Sequence, residues 1–255
     1  MSTGKCYLSI IPVRLEPSGR SAMVNQLLFG DTVNVLDKIP NWVKIASTHD
    51  NYEGWCESNQ LTFSKEKESD YDEKLVNDIT ATFQSEKKSL TLVYGSSVHL
   101  KEGGVYIGDE FFKHMAGDLS LPLSLNGDNL LNRATALMGV PYLWGGRSPF
   151  GIDCSGLIQI AFKMTGMALP RDAWQQAGYK GEYIDLIDEA KAGDVAFFDN
   201  EEGRIIHTGI LTGGGNIIHA NGKVRVDKID HHGIFNTESR SYSHKLRIIK
   251  RFGNY

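Results

Sequence analysis

The chain has 255 residues, which is enough for one large domain or two to three small ones. Its hydrophobic content of 41% and charged content of 23% are those of an ordinary globular protein with a core. The net charge of −4 excludes the excess of positive charge that is typical of nucleic-acid-binding domains. No apolar run approaches the length of a membrane-spanning helix, so we expect neither a nucleic acid nor a membrane as partner.

Cysteine usage and the N-terminal residues indicate the compartment. The three cysteines, Cys6, Cys56 and Cys154, form no CxxC pair, which is typical of a reducing compartment and not of a disulfide framework. Pro12 and Arg14 interrupt the short apolar patch near the N-terminus, and no small-residue cleavage site follows it. We therefore predict no signal peptide and a cytoplasmic location.

The first 125 residues are predicted to form two small β domains. Residues 1–63 contain short β-rich runs that turn residues separate. Residues 64–74 carry mixed charges and almost no apolar side chains, which predicts a solvated linker. Residues 75–125 contain a second series of short alternating runs, such as "SLTLVYG", and we expect a second small barrel there.

Residues 126–255 predict an α+β domain, because helical patterns come first and a series of β-rich runs follows. A capped amphipathic helix is predicted over residues 126–139. A second helix is predicted to begin near Cys154, because apolar residues recur at helical spacing from there to Gly166. The segment that begins at Pro170 is typical of a short helix or a turn.

Cys154 is the candidate nucleophile. It lies at, or one residue before, the first turn of its helix, where unpaired N–H groups and the helix dipole favour a thiolate. We therefore expect its pKa to be lowered from about 8.5 towards neutrality. The alternative is a small buried apolar residue, which is the usual role of a lone cysteine. The flanking Asp153 and Ser155, and three glycines just upstream, favour the nucleophile.

Two histidines in one predicted hairpin are candidates for its base. His207 and His219 lie in β-rich runs that Gly213, Gly214 and Gly215 join. A three-residue loop is odd in number, so both side chains should lie on the same face, about 5 to 8 Å apart. His207 is then the predicted general base and His219 the group that orients it.

Two other interpretations of these histidines remain open. They could be ordinary strand residues, or they could bind zinc with Cys154, although no fourth ligand stands at a familiar spacing. We predict no metal and no cofactor. Six further histidines show no arrangement beyond surface or loop positions: His49, His99, His114, His231, His232 and His244.

Five segments of the C-terminal half, in this order and spacing, resemble the NlpC/P60 cell-wall cysteine peptidases. They are "PYLWGGRSPFGIDCSGLIQIAF", "LPRDAWQQ", "AGDVAFF", "HTGI" and "IIHA". The resemblance covers residues 126–255 and implies a papain-like fold with a Cys154–His207–His219 triad. It also implies that Tyr142 helps to bind the substrate and to stabilise the oxyanion. The backbone N–H of Cys154 would be the second oxyanion donor.

The first 125 residues are similar to the paired bacterial SH3-like domains of one branch of that family, the γ-D-glutamyl-L-diamino acid endopeptidases. The segments "QLLFGDTVNVL" and "DNYEGW" carry this similarity. It implies that Asp31 and Tyr52 bind the free amine of an N-terminal L-Ala. The branch has a glutamate where Asp31 stands and a hydroxyl residue where Ala173 stands. Four further residues would line the same pocket: Trp144, Asp153, Ser155 and Asp172.

The resemblance therefore implies an enzyme that has a papain-like NlpC/P60 domain after two SH3-like domains. Its expected substrate is the murein stem peptide L-Ala-γ-D-Glu-diamino acid, with a free amine, in the recycling of wall peptides. One alternative is another Cys/His amidase or acyltransferase on the same scaffold. The other is a non-catalytic wall-binding protein, which the complete Cys/His/His set disfavours.

Overall fold

The computed structural model describes residues 2–63 and 72–254. It divides into two compact units. The N-terminal unit comprises residues 1–122 and 144–149, and the C-terminal unit comprises residues 123–143 and 150–255. Most of the predicted linker, residues 64–71, lies outside the described residues, and the predicted domain bounds stay predictions. Within the described part of the chain, no helix has the length and apolar character needed to cross a membrane.

The first part of the N-terminal unit is an antiparallel sheet of seven strands. Alternation of apolar side chains within short strands, as at Ile11 and Val13, directs one face into a common core. The sheet order is β3-β2-β6-β5-β4-β1-β7, with these bounds: β1 Thr3–Cys6, β2 Ile10–Arg14, β3 Met23–Leu28, β4 Thr32–Ile39, β5 Trp42–Ser47, β6 Glu53–Glu57 and β7 Leu61–Thr62. Cys6 and Cys56 both lie in this core, among aliphatic side chains.

The second part of the N-terminal unit has a separate core. Its strands form one sheet in the order β10-β9-β13-β12 and another in the order β11-β8-β14. Phe83 and Phe112 are buried between them, with aliphatic neighbours. The strand bounds are β8 Asp72–Val76, β9 Thr80–Gln84, β10 Ser89–Val93, β11 Ser97–Leu100, β12 Gly104–Ile107, β13 Glu110–Ala116 and β14 Leu119–Ser120.

Residues 144–149, which include the short strand β15 (Arg147–Ser148), pack on β3 within the N-terminal unit. Gly145 has a positive φ of 74°, and a side chain there would collide with the Met23 carbonyl. The Arg147 N–H donates to Gln26 Oε1 at 2.7 Å, and its guanidinium pairs with Asp31 Oδ2 at 2.5 Å.

The C-terminal unit begins with its helices: α1 Gly127–Thr135, α2 Cys154–Lys163 and α3 Ala173–Gly178. The Asn126 side chain caps α1 by accepting from the Asn129 N–H, as predicted, although α1 ends before the expected Gly139. Asp153 caps α2 in the same way by accepting from the Gly156 N–H. The apolar spacing that predicted α2 corresponds to a helix buried along almost its whole length.

The remaining strands of the C-terminal unit form a closed barrel, which the sequence did not predict. The sheet runs β17-β23-β18-β19-β20-β21-β22, and β22 also pairs with β23, so six strands form a ring. Aliphatic and aromatic side chains such as Phe198 and Ile217 fill its interior, while α2 packs outside on β19 and β20. The strand bounds are β16 Gly151–Ile152, β17 Glu182–Ile184, β18 Val195–Asp199, β19 Ile205–Gly213, β20 Asn216–Asn221, β21 Lys223–Asp230, β22 Gly233–Asn236 and β23 Ser241–Arg251.

The hairpin of β19 and β20 confirms the same-face prediction by a different route. Gly213 pairs with Asn216, so the loop is only Gly214 and Gly215, which both have positive φ as a type I′ turn requires. This even loop alone would place the two histidines on opposite faces. A β-bulge at Thr212 adds one residue and restores the parity.

Candidate active site

Cys154 is the first residue of α2, and its side chain is buried. Backbone hydrogen bonds from Thr208 on β19 and from Ser155 reach its sulfur. The expected lowered pKa is wrong, because burial, and then the neighbouring Asp153 carboxylate, raise the pKa of Cys154 to about 12. These two effects outweigh the backbone hydrogen bond from Thr208, the charge of Arg171 and the backbone hydrogen bond from Ser155, which all lower the pKa. The resting sulfur is therefore a thiol.

A buried arginine organises the residues on both sides of Cys154. Arg171 donates to both oxygens of Asp153, at 2.9 and 2.6 Å, and to the Ser155 hydroxyl at 2.9 Å. Asp153 in turn caps α2. This paired, hydrogen-bonded carboxylate holds the first turn of the helix in place. Asp153 and Ser155 were predicted as site residues. Arg171 was not, although it lies in the "LPRDAWQQ" segment that resembles the family.

His207 and His219 contact one another inside the barrel. His207 Nε2 lies 2.8 Å from His219 Nδ1, and the two rings are nearly perpendicular. His219 pairs across the sheet with Gly209, so the contact with His207 is diagonal. A side chain at Gly209 would lie within 2.8 Å of Ile217. Glycine at this position therefore permits the close approach of β20, the strand that carries His219.

A carboxylate continues this line of side chains on the next strand. Asp227 Oδ2 lies 2.9 Å from His219 Nε2. Arg225 donates to Asp227 Oδ1 at 2.9 Å and also pairs with Glu238. Asp227 was not predicted as a site residue. Only the register of β21 against β20, which places "VRVD" beside His219, indicates its role.

His244, which the sequence analysis set aside, stacks on His207. The ring centroids are 4.0 Å apart and the planes differ by 19°. β23 closes the barrel and brings this residue in from the far end of the chain, so local sequence could not indicate the contact. Burial lowers the pKa of His244 to about 4, so its ring is neutral near pH 7.

Both other rings are neutral as well. Burial, and then the neighbouring His244 and His219, hold the pKa of His207 well below 6.5. Burial also lowers the pKa of His219, against the opposing effect of Asp227. A neutral imidazole can accept the proton of a neutral thiol during attack on a carbonyl group.

Tyr142 is 36% exposed, and its backbone N–H donates to the Gly222 carbonyl. Burial, followed by the nearby Cys154 and Asp153, raises the pKa of its hydroxyl to about 12. The hydroxyl therefore keeps its proton and can donate a hydrogen bond near the sulfur.

The remaining predicted site residues have these positions. Asp172 is the N-cap of α3, in a capping box with Gln175. Trp144, Asp31 and Tyr52 belong to the N-terminal unit, where Trp144 is 67% exposed and Tyr52 is partly buried. Asp31 is buried, pairs with Arg147 and accepts from the Leu28 N–H. The contact of Asp31 with a substrate amine stays a prediction. Its carboxylate already has one charged partner, Arg147.

In the part of the chain that the structure describes, no three or more His, Cys, Asp or Glu side chains come together in a group that could hold a metal ion. Cys154 is a thiol at a helix start that contacts the backbone of Thr208, the residue after the neutral His207. A thiol, a neutral imidazole and fixed donors are the groups that covalent acyl transfer requires.

Comparison with known proteins places the chain in a family. The family model of the NlpC/P60 family matches residues 139–241, and that of the bacterial dipeptidyl-peptidase SH3 domain matches residues 13–61. The chain is 33% identical over 215 residues to the gamma-D-glutamyl-L-lysine dipeptidyl-peptidase of Bacillus subtilis strain 168, covering 76% of this chain and 71% of that protein. The chain belongs to the NlpC/P60 family. This NlpC/P60 protein is a cysteine peptidase.

Two further similarities agree with the NlpC/P60 assignment. The chain is 27% identical to dipeptidyl-peptidase 6 of Lysinibacillus sphaericus, over 84% of this chain and 87% of that protein. The crystal structure of an NlpC/P60 family protein from Bacillus cereus ATCC 10987 superposes with a TM-score of 0.86 at 23% identity, covering 98% of this chain and 99% of that one. An NlpC/P60 fold with an SH3-like domain is therefore confirmed, while the second SH3-like domain and the papain-like detail stay predictions.

Proposed function

We propose that this NlpC/P60 peptidase hydrolyses the γ-D-Glu–diamino acid bond of murein stem peptides that carry a free N-terminal L-Ala. We further propose that it acts in the cytoplasm, in the recycling of wall peptides. The names of its relatives in Bacillus subtilis and Bacillus cereus, gamma-D-glutamyl-L-lysine dipeptidyl-peptidase, support this bond. The sparse cysteines support a reducing compartment.

One observation carries the mechanism. The sulfur of Cys154 accepts a hydrogen bond from the backbone of Thr208, the residue that follows His207. His207 takes the thiol proton as the sulfur attacks the γ-carbonyl carbon of D-Glu. The proton then passes to the leaving amine of the diamino acid, and a thioester remains on Cys154. Water, deprotonated by His207, hydrolyses the thioester and releases L-Ala-D-Glu.

The developing oxyanion needs donors that are fixed before the reaction. The N–H of Cys154 points out of the first turn of α2, where no helical acceptor exists. The Tyr142 hydroxyl, which stays protonated, is the proposed second donor. Removal of a donor of this kind costs about 10²- to 10³-fold in kcat.

Recognition of a free amine requires acceptor oxygens and negative charge. Asp153 and Ser155 supply such oxygens directly beside the nucleophile. An amine that is still linked to a sugar carries no charge for them to bind. The proposed enzyme therefore prefers free stem peptides to stems in the intact wall.

The test uses L-Ala-γ-D-Glu-L-Lys, L-Ala-γ-D-Glu-meso-diaminopimelate and the N-acetylated form of each, with products identified by mass. We expect L-Ala-D-Glu from at least one free tripeptide, and at least a tenfold lower rate from its acetylated form. Cys154→Ala serves as the inactive control. Equal rates for free and acetylated peptides would remove the amine specificity. Release of another product, such as free alanine, would indicate the alternative amidase.

A further inference from the structure

Asp227 is a buried carboxylate that none of the reaction steps above uses. It is 4% exposed on β21 and lies diagonally across the sheet from His219, which pairs with Arg225. Its Oδ2 is 2.9 Å from His219 Nε2. Arg225 approaches both of its oxygens, at 2.9 Å each.

We propose that Asp227 is a positioning residue that determines which nitrogen of His207 carries a proton, by acting through His219. This inference rests on the proposed roles of Cys154, His207 and His219.

The proton order follows from the contacts. Asp227 faces an arginine and is an acceptor, so His219 Nε2 must carry the hydrogen that it accepts. A neutral His219 then presents a bare Nδ1 to its neighbour. His207 Nε2, at 2.8 Å, must therefore be the donor in that contact. In a neutral His207 the remaining nitrogen, Nδ1, is left unprotonated, and this is the nitrogen that can accept the thiol proton.

Without this carboxylate the order can reverse. His219 could then carry its hydrogen on Nδ1 and donate it to His207 Nε2. His207 would carry its own hydrogen on Nδ1, where a base is needed. The two histidines alone are symmetric in this respect, because each ring offers one donor and one acceptor. The third group breaks the symmetry, much as the aspartate of a serine protease triad does for its histidine.

The surroundings of the two rings contain no other buried carboxylate in contact with them among the described residues. Phe198 and His244 contact His207 from β18 and β23, and neither can fix the hydrogen on Nε2. Arg225 holds Asp227 in place through its ion pair, and Glu238 pairs with Arg225 in turn.

The experiment compares Asp227→Asn with Asp194→Asn. Asp194 is a matched control, because it is also a buried carboxylate of the C-terminal unit that an arginine, Arg251, pairs with through two hydrogen bonds. It makes no contact with the histidines. Both variants lose the charge of a buried pair, so a general loss of stability affects both, and thermal unfolding measures it.

Two readouts do not depend on the peptide substrate. The first is ¹⁵N NMR of histidine-labelled protein, which reports the protonated nitrogen of each ring. We expect Nε2–H for His207 and His219 in the wild type and in Asp194→Asn, and loss of this single state in Asp227→Asn. The second is the rate at which iodoacetamide alkylates Cys154 at pH 7. We expect the alkylation rate to fall at least about tenfold in Asp227→Asn and less than twofold in the control. The kcat of Asp227→Asn should fall with it, and its KM should not change.

The outcomes separate this inference from the proposed function. Nδ1–H at His219 in the wild type would overturn the inference without any variant, as would an Asp227→Asn enzyme with wild-type tautomers and alkylation rate. If Cys154→Ala kept its turnover, the proposed function would fail, whereas the NMR result on Asp227 would still stand. A folded Asp227→Asn with reduced alkylation supports the inference even where the stem peptide is not the substrate.

Discussion

The three cysteines of this chain allow a structural role, that of Cys6 and Cys56, to be compared with the chemical role proposed for Cys154. All three are buried, and burial raises the pKa of each, for Cys56 and Cys154 to about 12. Cys6 and Cys56 lie among aliphatic side chains in the core of the first sheet. Cys154 begins a helix beside Asp153 and Arg171 and below the strand that carries His207. Neither burial nor acidity distinguishes it.

In the proposed mechanism, the neighbouring base, and not burial or acidity, decides whether a cysteine sulfur of this chain is reactive. A buried thiol without a base stays an apolar core group. The same thiol becomes a nucleophile when a neutral imidazole can take its proton at the moment of attack. In that mechanism the helix terminus supplies a donor for the oxyanion, since it does not keep the resting sulfur as a thiolate.

The largest expected effect comes from replacing the sulfur in each environment. Cys154→Ala should reduce turnover by about 10³-fold or more, because the covalent step is lost. Cys56→Ala should destabilise the fold by about 1 to 2 kcal/mol through lost packing and leave turnover within about twofold. Turnover of a defined stem peptide and thermal unfolding check both. Equal losses in the two variants would contradict the comparison.

The second prediction removes the base from its place and keeps the thiol. Gly209 pairs with His219, and Gly209→Ala places a methyl group within 2.8 Å of Ile217 and of the Ile218 carbonyl oxygen, so β20, which carries His219, has to shift. We expect kcat and the iodoacetamide alkylation rate of Cys154 to fall by about 10- to 100-fold. Gly19→Ala is the control, because an added carbon there contacts nothing within 4 Å and no positive φ is required. Normal alkylation in Gly209→Ala would show that the histidine contact does not activate the sulfur.

A smaller effect is expected at His244. Its stacked ring limits the rotation of His207, and a neutral aromatic ring suffices for this. His244→Phe should keep kcat within about threefold, whereas His244→Ala should lower it about three- to tenfold. Steady-state kinetics of the pair provides the measurement. Identical rates in the two variants would mean that stacking does not position the base.

The smallest expected effect is the pH dependence of kcat/KM, which reports the pKa of the general base. The general base must be neutral, and burial lowers the pKa of His207 below 6.5. Activity is therefore present above that lowered pKa and lost as the pH falls through it. We expect kcat/KM to change less than about twofold between pH 8 and 6.5, with the acid limb at lower pH. An acid limb centred at or above pH 6.5 would show that burial does not lower the pKa of the general base.

The sequence was sufficient where chemistry depends on neighbours in the chain. A helix that begins at Cys154 follows from local spacing, and so does its cap at Asp153. The contact of His207 with His219 was also predictable, although the even turn and the bulge at Thr212 replaced the expected odd loop. The loop length was predicted wrongly, but the bulge adds one residue to β19, so the two side chains still lie on the same face.

Other features depended on strands that are distant in the chain. Closure of the barrel by β22 and β23 brings His244 onto His207, and the register of β21 brings Asp227 onto His219. The pKa of Cys154 also depended on the whole fold. Its direction was predicted wrongly from the helix start alone, because the loss of water around a buried sulfur outweighs a dipole within one turn.

The sequence by itself therefore determined the helix that begins at Cys154, the contact of the paired histidines and the family of this protein, and it predicted Cys154 as the nucleophile. Tertiary structure alone decided the protonation state of the thiol, the stacked His244 and the carboxylate behind His219. The physical reason is one of range: helix periodicity and hairpin parity act over a few residues. Desolvation and buried ion pairs are instead set by every segment that packs around a group.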